Sequence, residues 1–191
     1  SKNNKDKAIT FISENGFREE RNWKQLNNNV GRIINFFKKI KLNKNDRIAA
    51  YMPNCIETVE SFLATTAIGT IWSSCSPDFG INGVVERFLQ IKPKILFITD
   101  KYFYNGKEIN ILERVPKILE KIKSIKYVIF VNYPGEKYLP NQYKFKKVET
   151  FRWSELKKIK SEKIKFSKFD FDQELAILYS SGTTGKPKCI C

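Results

Sequence analysis

The stretch "RIAAYMPNCIETVESFLATTAIGTIWSS", residues 47–74, indicates the fold class of this chain. Its apolar start, "RIAAYM", predicts a short buried strand, and the polar step after it predicts a helix that Asn54 caps while Glu57 reaches back. We expect this helix to run to about Ile68, with Gly69 at its C-terminal cap and a second strand at "TIWSS". A strand–helix–strand unit of this kind predicts parallel strands with a right-handed crossover.

The same alternation continues on the C-terminal side of this unit. We predict a helix around "GVVERFLQI", a strand at "KILFITD", a helix around "EINILERVPKILEKI" that Pro116 interrupts, and a strand at "KYVIFV". Residues 132–172 carry weaker signals and predict a surface excursion, after which "ELAILY" predicts another buried strand. The predicted fold class is therefore α/β, in one domain.

The N-terminal residues predict a hairpin followed by a helix. Asn15-Gly16 lies between alternating residues, and this pair favours a tight turn because both residues tolerate positive φ. From Trp23 onward, apolar residues recur at helical spacing, which predicts a helix of about four turns with one buried face. These apolar positions are Leu26, Val30, Ile33, Ile34, Phe37 and Ile40.

The composition is that of a globular chain with an excess of lysine. Hydrophobic residues make up 41% of the 191 residues and charged residues 29%, which excludes a disordered or collagen-like chain. The net charge of +15 raises nucleic acid or an anionic membrane as a partner. The basic residues are scattered, however, and only 7 of the 35 are Arg, the residue that phosphate recognition favours. We therefore expect no nucleic acid and no membrane partner, with a non-catalytic basic binding module as the alternative.

The chain has no histidine and four cysteines, which limits the catalytic and metal-binding sites that it can form. Without histidine, these residues cannot form a Ser-His-Asp triad or a His-based zinc site. Cys189 and Cys191 have no matching pair, so we interpret all four cysteines as reduced thiols. The sequence has no signal peptide and no run of about 18 apolar residues, and we expect a cytoplasmic protein.

The most specific motif is "YSSGTTGKPK", residues 179–188, directly after the last predicted strand. Gly182 and Gly185 allow the backbone to approach a ligand closely, and Lys186 and Lys188 add positive charge. With four Ser and Thr hydroxyls they predict a phosphate cradle, because successive N–H groups in such a turn bind anions. The spacing excludes the Walker loop, which needs four residues between its first Gly and its Gly-Lys pair. A plain surface turn is the alternative interpretation.

The string "ILYSSGTTGKPK" resembles the phosphate-binding signature of the adenylate-forming enzymes, which include acyl-CoA synthetases and firefly luciferases. The stretch from Trp23 to Gly80 is similar to that family's N-terminal region. Within the family, "WSSCSPDFG" and "YNGK" resemble the acetoacetyl-CoA synthetases and differ from the acetyl-CoA synthetases. The resemblance implies that residues 1–191 are part of the large N-terminal AMP-binding domain of such an enzyme, truncated just after the phosphate-binding loop, with the C-terminal domain absent.

The resemblance also implies a two-step ligation that uses ATP, Mg²⁺ and coenzyme A. Acetoacetate would form acetoacetyl-adenylate and pyrophosphate, and coenzyme A would then displace AMP to give acetoacetyl-CoA. In this interpretation Thr184 approaches magnesium, Lys107 contacts coenzyme A, and the catalytic lysine lies beyond Cys191. The residues that we expect to bind the ATP phosphates are Ser180, Ser181, Gly182, Thr183, Thr184, Gly185 and Lys188.

The identity of the acid stays open at this point. Most of the acyl pocket would lie beyond Cys191, so acetate, propionate or a hydroxy acid are alternative substrates. The residues for adenine, ribose and magnesium would lie there too, and we expect residues 1–191 alone not to catalyse adenylation. We assign no catalytic role to Cys75 or Asp78, because "SPD" predicts the turn and cap that open the next helix.

Overall fold

The computed structural model describes residues 3–135, 145–164, 166–180, 185 and 187–191. Among these residues, short strands are the most numerous regular elements. In chain order they are β1 (Lys7–Ile12), β2 (Arg18–Asn22), β3 (Arg47–Tyr51), β4 (Ile71–Cys75), β5 (Ile95–Thr99), β6 (Lys101–Tyr104), β7 (Lys107–Asn110), β8 (Tyr127–Val131), β9 (Glu149–Arg152), β10 (Leu178–Ser180) and β11 (Lys188–Ile190).

Five α-helices and one 3₁₀ turn, Leu112–Arg114, alternate with these strands in the described part of the chain. Within the same residues, no helix combines the length and apolar character needed to cross a bilayer. The helices are α1 (Trp23–Lys39), α2 (Ile56–Ala67), α3 (Ile81–Ile91), α4 (Val115–Lys121) and α5 (Trp153–Leu156).

A five-stranded sheet in the order β4-β3-β5-β8-β9 forms the centre of the fold, and all its pairs are parallel. Helices α1 and α2 pack on one face, where Ala64 of α2 joins a core with Phe97 of β5. Helices α3 and α4 pack on the opposite face, where Phe88 of α3 joins a second core with Leu96. Because both faces are covered, the central strands are buried apolar runs. The predicted α/β class is confirmed.

Helix α1 forms where the sequence predicts it. Asn22 accepts a hydrogen bond from the Gln25 backbone N–H at 2.8 Å, and the Gln25 side chain accepts one from the Asn22 N–H at 2.9 Å, which completes a capping box. The helix has 17 residues. Five of its six predicted apolar positions are buried, and the sixth, Ile40, is the half-buried C-cap.

The N-terminal hairpin is also present, since β1 and β2 pair antiparallel. Its turn differs from the tight two-residue turn that Asn15-Gly16 favours. The Ser13 N–H donates to the Phe17 carbonyl at 2.9 Å, which leaves three residues, 14–16, between the bonded pair. Of Asn15 and Gly16, only Gly16 has positive φ.

The predicted cap of α2 is wrong. The N-cap is Cys55 rather than Asn54, and it makes no side-chain cap. Glu57 is buried and faces Arg21 at 3.6 Å instead of reaching back to the helix start. The C-terminal prediction is confirmed, because Ile68 is the C-cap and Gly69 follows it with φ +74°.

Glu57 belongs to a buried cluster of charged side chains around Arg21. The Arg21 guanidinium lies 2.5 Å from Glu19 and 3.5 Å from Glu60, and its side chain is 10% exposed. Asn29 donates to Glu60 at 2.7 Å. Burial raises the pKa of Glu57 and raises the pKa of Glu60 to about 7. The cluster therefore ties β2, α1 and α2 together through partly compensated charges.

The helix predicted around "EINILERVPKILEKI" begins later than expected. Strands β6 and β7 form an antiparallel hairpin first, joined by Asn105 at φ +51° and Gly106 at φ +71°. Pro116 does not interrupt a helix, because it lies in the first turn of α4, where a missing N–H costs no intrahelical hydrogen bond.

Residues 132–172 contain more structure than the predicted surface excursion. Strand β9 extends the central sheet next to β8, and α5 buries Trp153 and Leu156 against the α1 side of the core. The chain then crosses α1, where the Asn35 side chain donates to the Lys160 carbonyl at 2.9 Å. Phe169 packs on Gly69 beyond that point.

We predict that Gly69→Ala lowers the free energy of unfolding by about 2–4 kcal/mol. The alanine would hold an unfavourable positive φ, and its Cβ would lie 2.5 Å from the Phe169 ring. Gly16→Ala is the matched control, since Gly16 has φ +79° but open space around it, and should cost about 1–2 kcal/mol. Urea unfolding measures both. Equal losses would show that packing of Phe169 on this turn contributes nothing.

Candidate functional site

Residues 175–177 run along the free edge of β4. The Trp72 N–H donates to the Leu175 carbonyl at 3.1 Å, and the Ile177 N–H donates to the Trp72 carbonyl at 2.8 Å. The bridge between Trp72 and Ala176 is parallel. The buried Ser73 hydroxyl donates to the Ile177 carbonyl at 2.9 Å. The chain is thereby carried to the carboxyl end of the sheet.

The predicted buried strand "ELAILY" is only partly correct. Ile177 is buried in the core, but Leu175 is 56% exposed and Leu178 is 63% exposed. The reason is that the segment meets the sheet through one bridge and then pairs with β11 instead of continuing along β4.

The predicted phosphate cradle connects β10 to β11. These strands pair antiparallel, and Ser180 lies opposite Lys188. Gly185 is exposed with φ +133°, a conformation that favours glycine. The structure therefore brings two predicted residues together and places a third in their connection. Five further residues of the predicted cradle lie outside the described residues and stay predictions: Ser181, Gly182, Thr183, Thr184 and Lys186.

The position of this hairpin suits a ligand site. Strand β3 leads through α2 to β4 on one face of the sheet, whereas its other neighbour, β5, leads away through α4 to β8 on the opposite face. Adjacent parallel strands whose connections leave to opposite faces open a crevice at their carboxyl ends, where ligands bind in open α/β sheets. The β10–β11 hairpin emerges at this end, beside β4.

Helix α3 packs against the strand that enters the hairpin. The Arg87 guanidinium lies 4.1 Å from the Phe79 ring centroid and 5.7 Å from that of Tyr179. The Tyr179 phenol lies 3.3 Å from the Ser73 hydroxyl, and burial raises the pKa of Tyr179. The phenol therefore stays neutral and serves to anchor β10.

The turn before α3 is built as the sequence predicts, except for its cap. Ser76 donates to the Asp78 carboxylate at 2.7 Å, while the N-cap of α3 is Gly80. Arg114, the last residue of the 3₁₀ turn before α4, fixes this turn, since its guanidinium donates to the Pro77 carbonyl at 3.1 Å. Burial raises the pKa of the Cys75 thiol to about 12, which leaves the thiol protonated at neutral pH and agrees with assigning it no catalytic role.

Lys107 lies on a separate element from the cradle. It is exposed at the first position of β7, opposite Tyr104 and next to the Asn105-Gly106 turn. The Gly106 N–H donates to Glu14 at 3.3 Å, which attaches the hairpin tip to the N-terminal hairpin. Contact of Lys107 with coenzyme A stays a prediction.

The described residues include no group of three His, Cys, Asp or Glu side chains that could hold a metal ion. All four cysteines are free thiols, and Cys55 and Cys75 are buried. Thr184, the predicted magnesium contact, lies outside the described residues, and its role stays a prediction.

Comparison with known proteins identifies relatives along the whole chain. A family model for AMP-binding enzymes matches residues 1–191. Acetoacetyl-CoA synthetase from Xenopus tropicalis is 38% identical over 193 residues, which cover 97% of this chain and 28% of the relative. Malonamoyl-CoA synthetase vrtB from Penicillium aethiopicum is 33% identical over 190 residues, which cover 97% of this chain and 26% of the relative.

A solved structure shares the fold described above. Acetoacetyl-CoA synthetase from Streptomyces lividans matches with a TM-score of 0.85 and 32% identity, over 96% of this chain and 27% of that chain. This chain therefore spans little more than a quarter of the length of the relatives that it matches.

We predict that Ser73→Ala lowers the free energy of unfolding by about 1–3 kcal/mol, because the buried Ile177 carbonyl loses its side-chain donor. Ser74→Ala is the matched control, since the next residue of β4 is exposed, and should change it by less than about 0.5 kcal/mol. Urea unfolding gives both values, and hydrogen exchange of the Ile177 amide reports on the edge itself. Similar values for the two variants would contradict an anchoring role for Ser73.

Proposed function

The chain belongs to the AMP-binding enzyme family, and we propose that the protein that carries it ligates acetoacetate to coenzyme A. In the first step a carboxylate oxygen of acetoacetate attacks the α-phosphorus of ATP, forming acetoacetyl-adenylate and releasing pyrophosphate. In the second step the thiol of coenzyme A attacks the acyl carbon, loses its proton, and displaces AMP to form the thioester. Residues 1–191 would supply part of the large N-terminal domain of this enzyme.

The observation that carries the proposal is the motif "YSSGTTGKPK" at the carboxyl end of the parallel sheet. A pyrophosphate leaving group needs N–H groups, hydroxyls and positive charge around it, and this motif supplies all three. We propose that Lys188 neutralises phosphate charge and that Gly185 lets the backbone approach. The further proposed phosphate contacts are Ser180, Ser181, Gly182, Thr183 and Thr184.

Magnesium would lower the charge repulsion between the phosphates and the attacking carboxylate. We propose that the Thr184 hydroxyl approaches this ion. The role of the described residues is to present the loop: Ser73 and Arg87 anchor β10, and the pairing of Ser180 with Lys188 closes the hairpin beneath it.

Acetoacetate is the proposed acid because two of the compared relatives are named acetoacetyl-CoA synthetases. The fungal relative, named a malonamoyl-CoA synthetase, has a similar identity of 33%, and it supports another small acid as the alternative. The four free thiols support a reducing compartment, and we propose the cytoplasm. Small molecules alone are the proposed partners, without nucleic acid or membrane.

We predict that the full-length protein catalyses ATP–pyrophosphate exchange faster with acetoacetate than with acetate, propionate or 3-hydroxybutyrate. The expected preference is at least about tenfold in kcat/KM, because even one group that the substrate has and the competing acid lacks changes binding in a pocket by about that factor. Malonamate belongs in the same series. A preference for another acid would keep the ligase mechanism and discard the substrate, whereas no exchange with any acid would contradict the enzyme assignment.

We predict that Lys107→Ala raises the KM for coenzyme A by about 3–10-fold and leaves pyrophosphate exchange unchanged, because one phosphate contact is lost. Lys117→Ala on α4 is the matched control, since it also removes one exposed lysine. Thioester formation at varied coenzyme A gives the KM. If both variants retained the wild-type KM, Lys107 would have no role in binding coenzyme A.

A further inference from the structure

Gln90 makes contacts that neither the sequence motifs nor the proposed chemistry requires. It lies on the exposed side of α3, and its Nε2 donates to the Pro187 carbonyl at 2.9 Å and to the Glu86 carbonyl at 2.8 Å. Its Oε1 lies 3.4 Å from the Cys189 sulfur and accepts from it. One amide therefore bridges the last turn of α3 to the strand that leaves the phosphate-binding loop.

The Pro187 carbonyl is the atom at which this strand can be held. Ser180 and Lys188 form the last described pair of the β10–β11 ladder before the loop. Pro187 has no N–H, so it cannot donate a further ladder hydrogen bond toward β10. The Pro187 carbonyl is the backbone group of this residue that can still form a hydrogen bond, and it accepts one from the Gln90 side chain.

The other strand of the hairpin is held from the same helix. Arg87, three residues before Gln90, contacts the Tyr179 ring next to Ser180. Residues three apart lie on the same side of a helix. Helix α3 is itself fixed on the core through four buried residues, so its exposed side is a stable support. They are Val84, Val85, Phe88 and Ile91.

We propose that Gln90 is a positioning residue which, together with Arg87, holds both ends of the phosphate-binding loop at a fixed separation. This inference rests on the proposed function, because it assigns the loop to ATP. A loop that binds phosphate through N–H groups acts only when those groups already point at the charge, so its two ends must not drift apart. Gln90 touches no substrate in this assignment.

The test compares Gln90→Met with wild-type full-length protein. Methionine has nearly the same length as glutamine but no amide, so the bridge to Pro187 is lost while the helix is kept. We expect the KM for ATP in pyrophosphate exchange to rise about 3–10-fold, as loss of a neutral hydrogen bond implies. The KM for acetoacetate should change less than about twofold. Binding of α,β-methylene-ATP, which cannot transfer its adenylyl group to the acid, should weaken by the same factor as the ATP KM rises.

Two further variants separate positioning from folding. Gln90→Asn adds no apolar group and is one methylene too short to span to Pro187, so it should behave like Gln90→Met. Glu86→Gln changes the exposed side chain one turn earlier and leaves the Glu86 carbonyl in place, so it should retain wild-type constants. Circular dichroism of all variants should be that of the wild type.

The results distinguish failure of this inference about Gln90 from failure of the proposed function. Wild-type exchange with an unchanged ATP KM in Gln90→Met and Gln90→Asn would overturn the inference and leave the proposed function standing. Parallel increases in the KM for ATP and for acetoacetate would also overturn it, because they would indicate general loosening. A wild-type protein that neither catalyses exchange nor binds α,β-methylene-ATP would remove the proposed function, and this inference with it.

Discussion

The pairing of residues 175–177 with β4 is the constraint on which the candidate site depends. An isolated two-stranded hairpin is at best marginally stable in water, so β10 and β11 need an external support. The two backbone hydrogen bonds to Trp72 and the buried hydroxyl of Ser73 supply it. Because the bridge is parallel, it also decides that the hairpin emerges at the carboxyl end of the sheet, where the crevice lies.

The central strands and helix α1 could be predicted because burial determines the pattern of apolar residues along the sequence. Fully covered parallel strands appear as apolar runs, and a helix with one buried face repeats its apolar residues at helical spacing. The β6–β7 hairpin was missed, although Asn105-Gly106 is the short-range signal that identifies such a turn. Strand β9, "ETFR", is short and polar, and its pairing with β8 leaves no local pattern.

Contacts between residues that are distant in the sequence account for the other differences between the predicted and the observed structure. Glu57 has the spacing of a capping residue, but the buried Arg21 attracts it into a cluster with Glu60, and the local rule fails. Breaking such a cluster by removing one partner costs more than assembling it gains, so its members constrain one another. At the candidate site the sequence predicts Ser180, Gly185 and Lys188, whereas Gln90 meets Pro187 across 97 residues and has no motif of its own.

The separation between Ser73 and its partner carbonyl on Ile177 is 104 residues, and it governs the order in which the protein assembles. Strands β3, β4 and β5 all lie within residues 47–99, so they can pair while the ribosome is still making the rest. The edge beside β4 must wait for a long loop to close, which costs chain entropy. We therefore expect the edge beside β4, which carries the candidate site, to form after the pairs within residues 47–99 and to open more readily than they do.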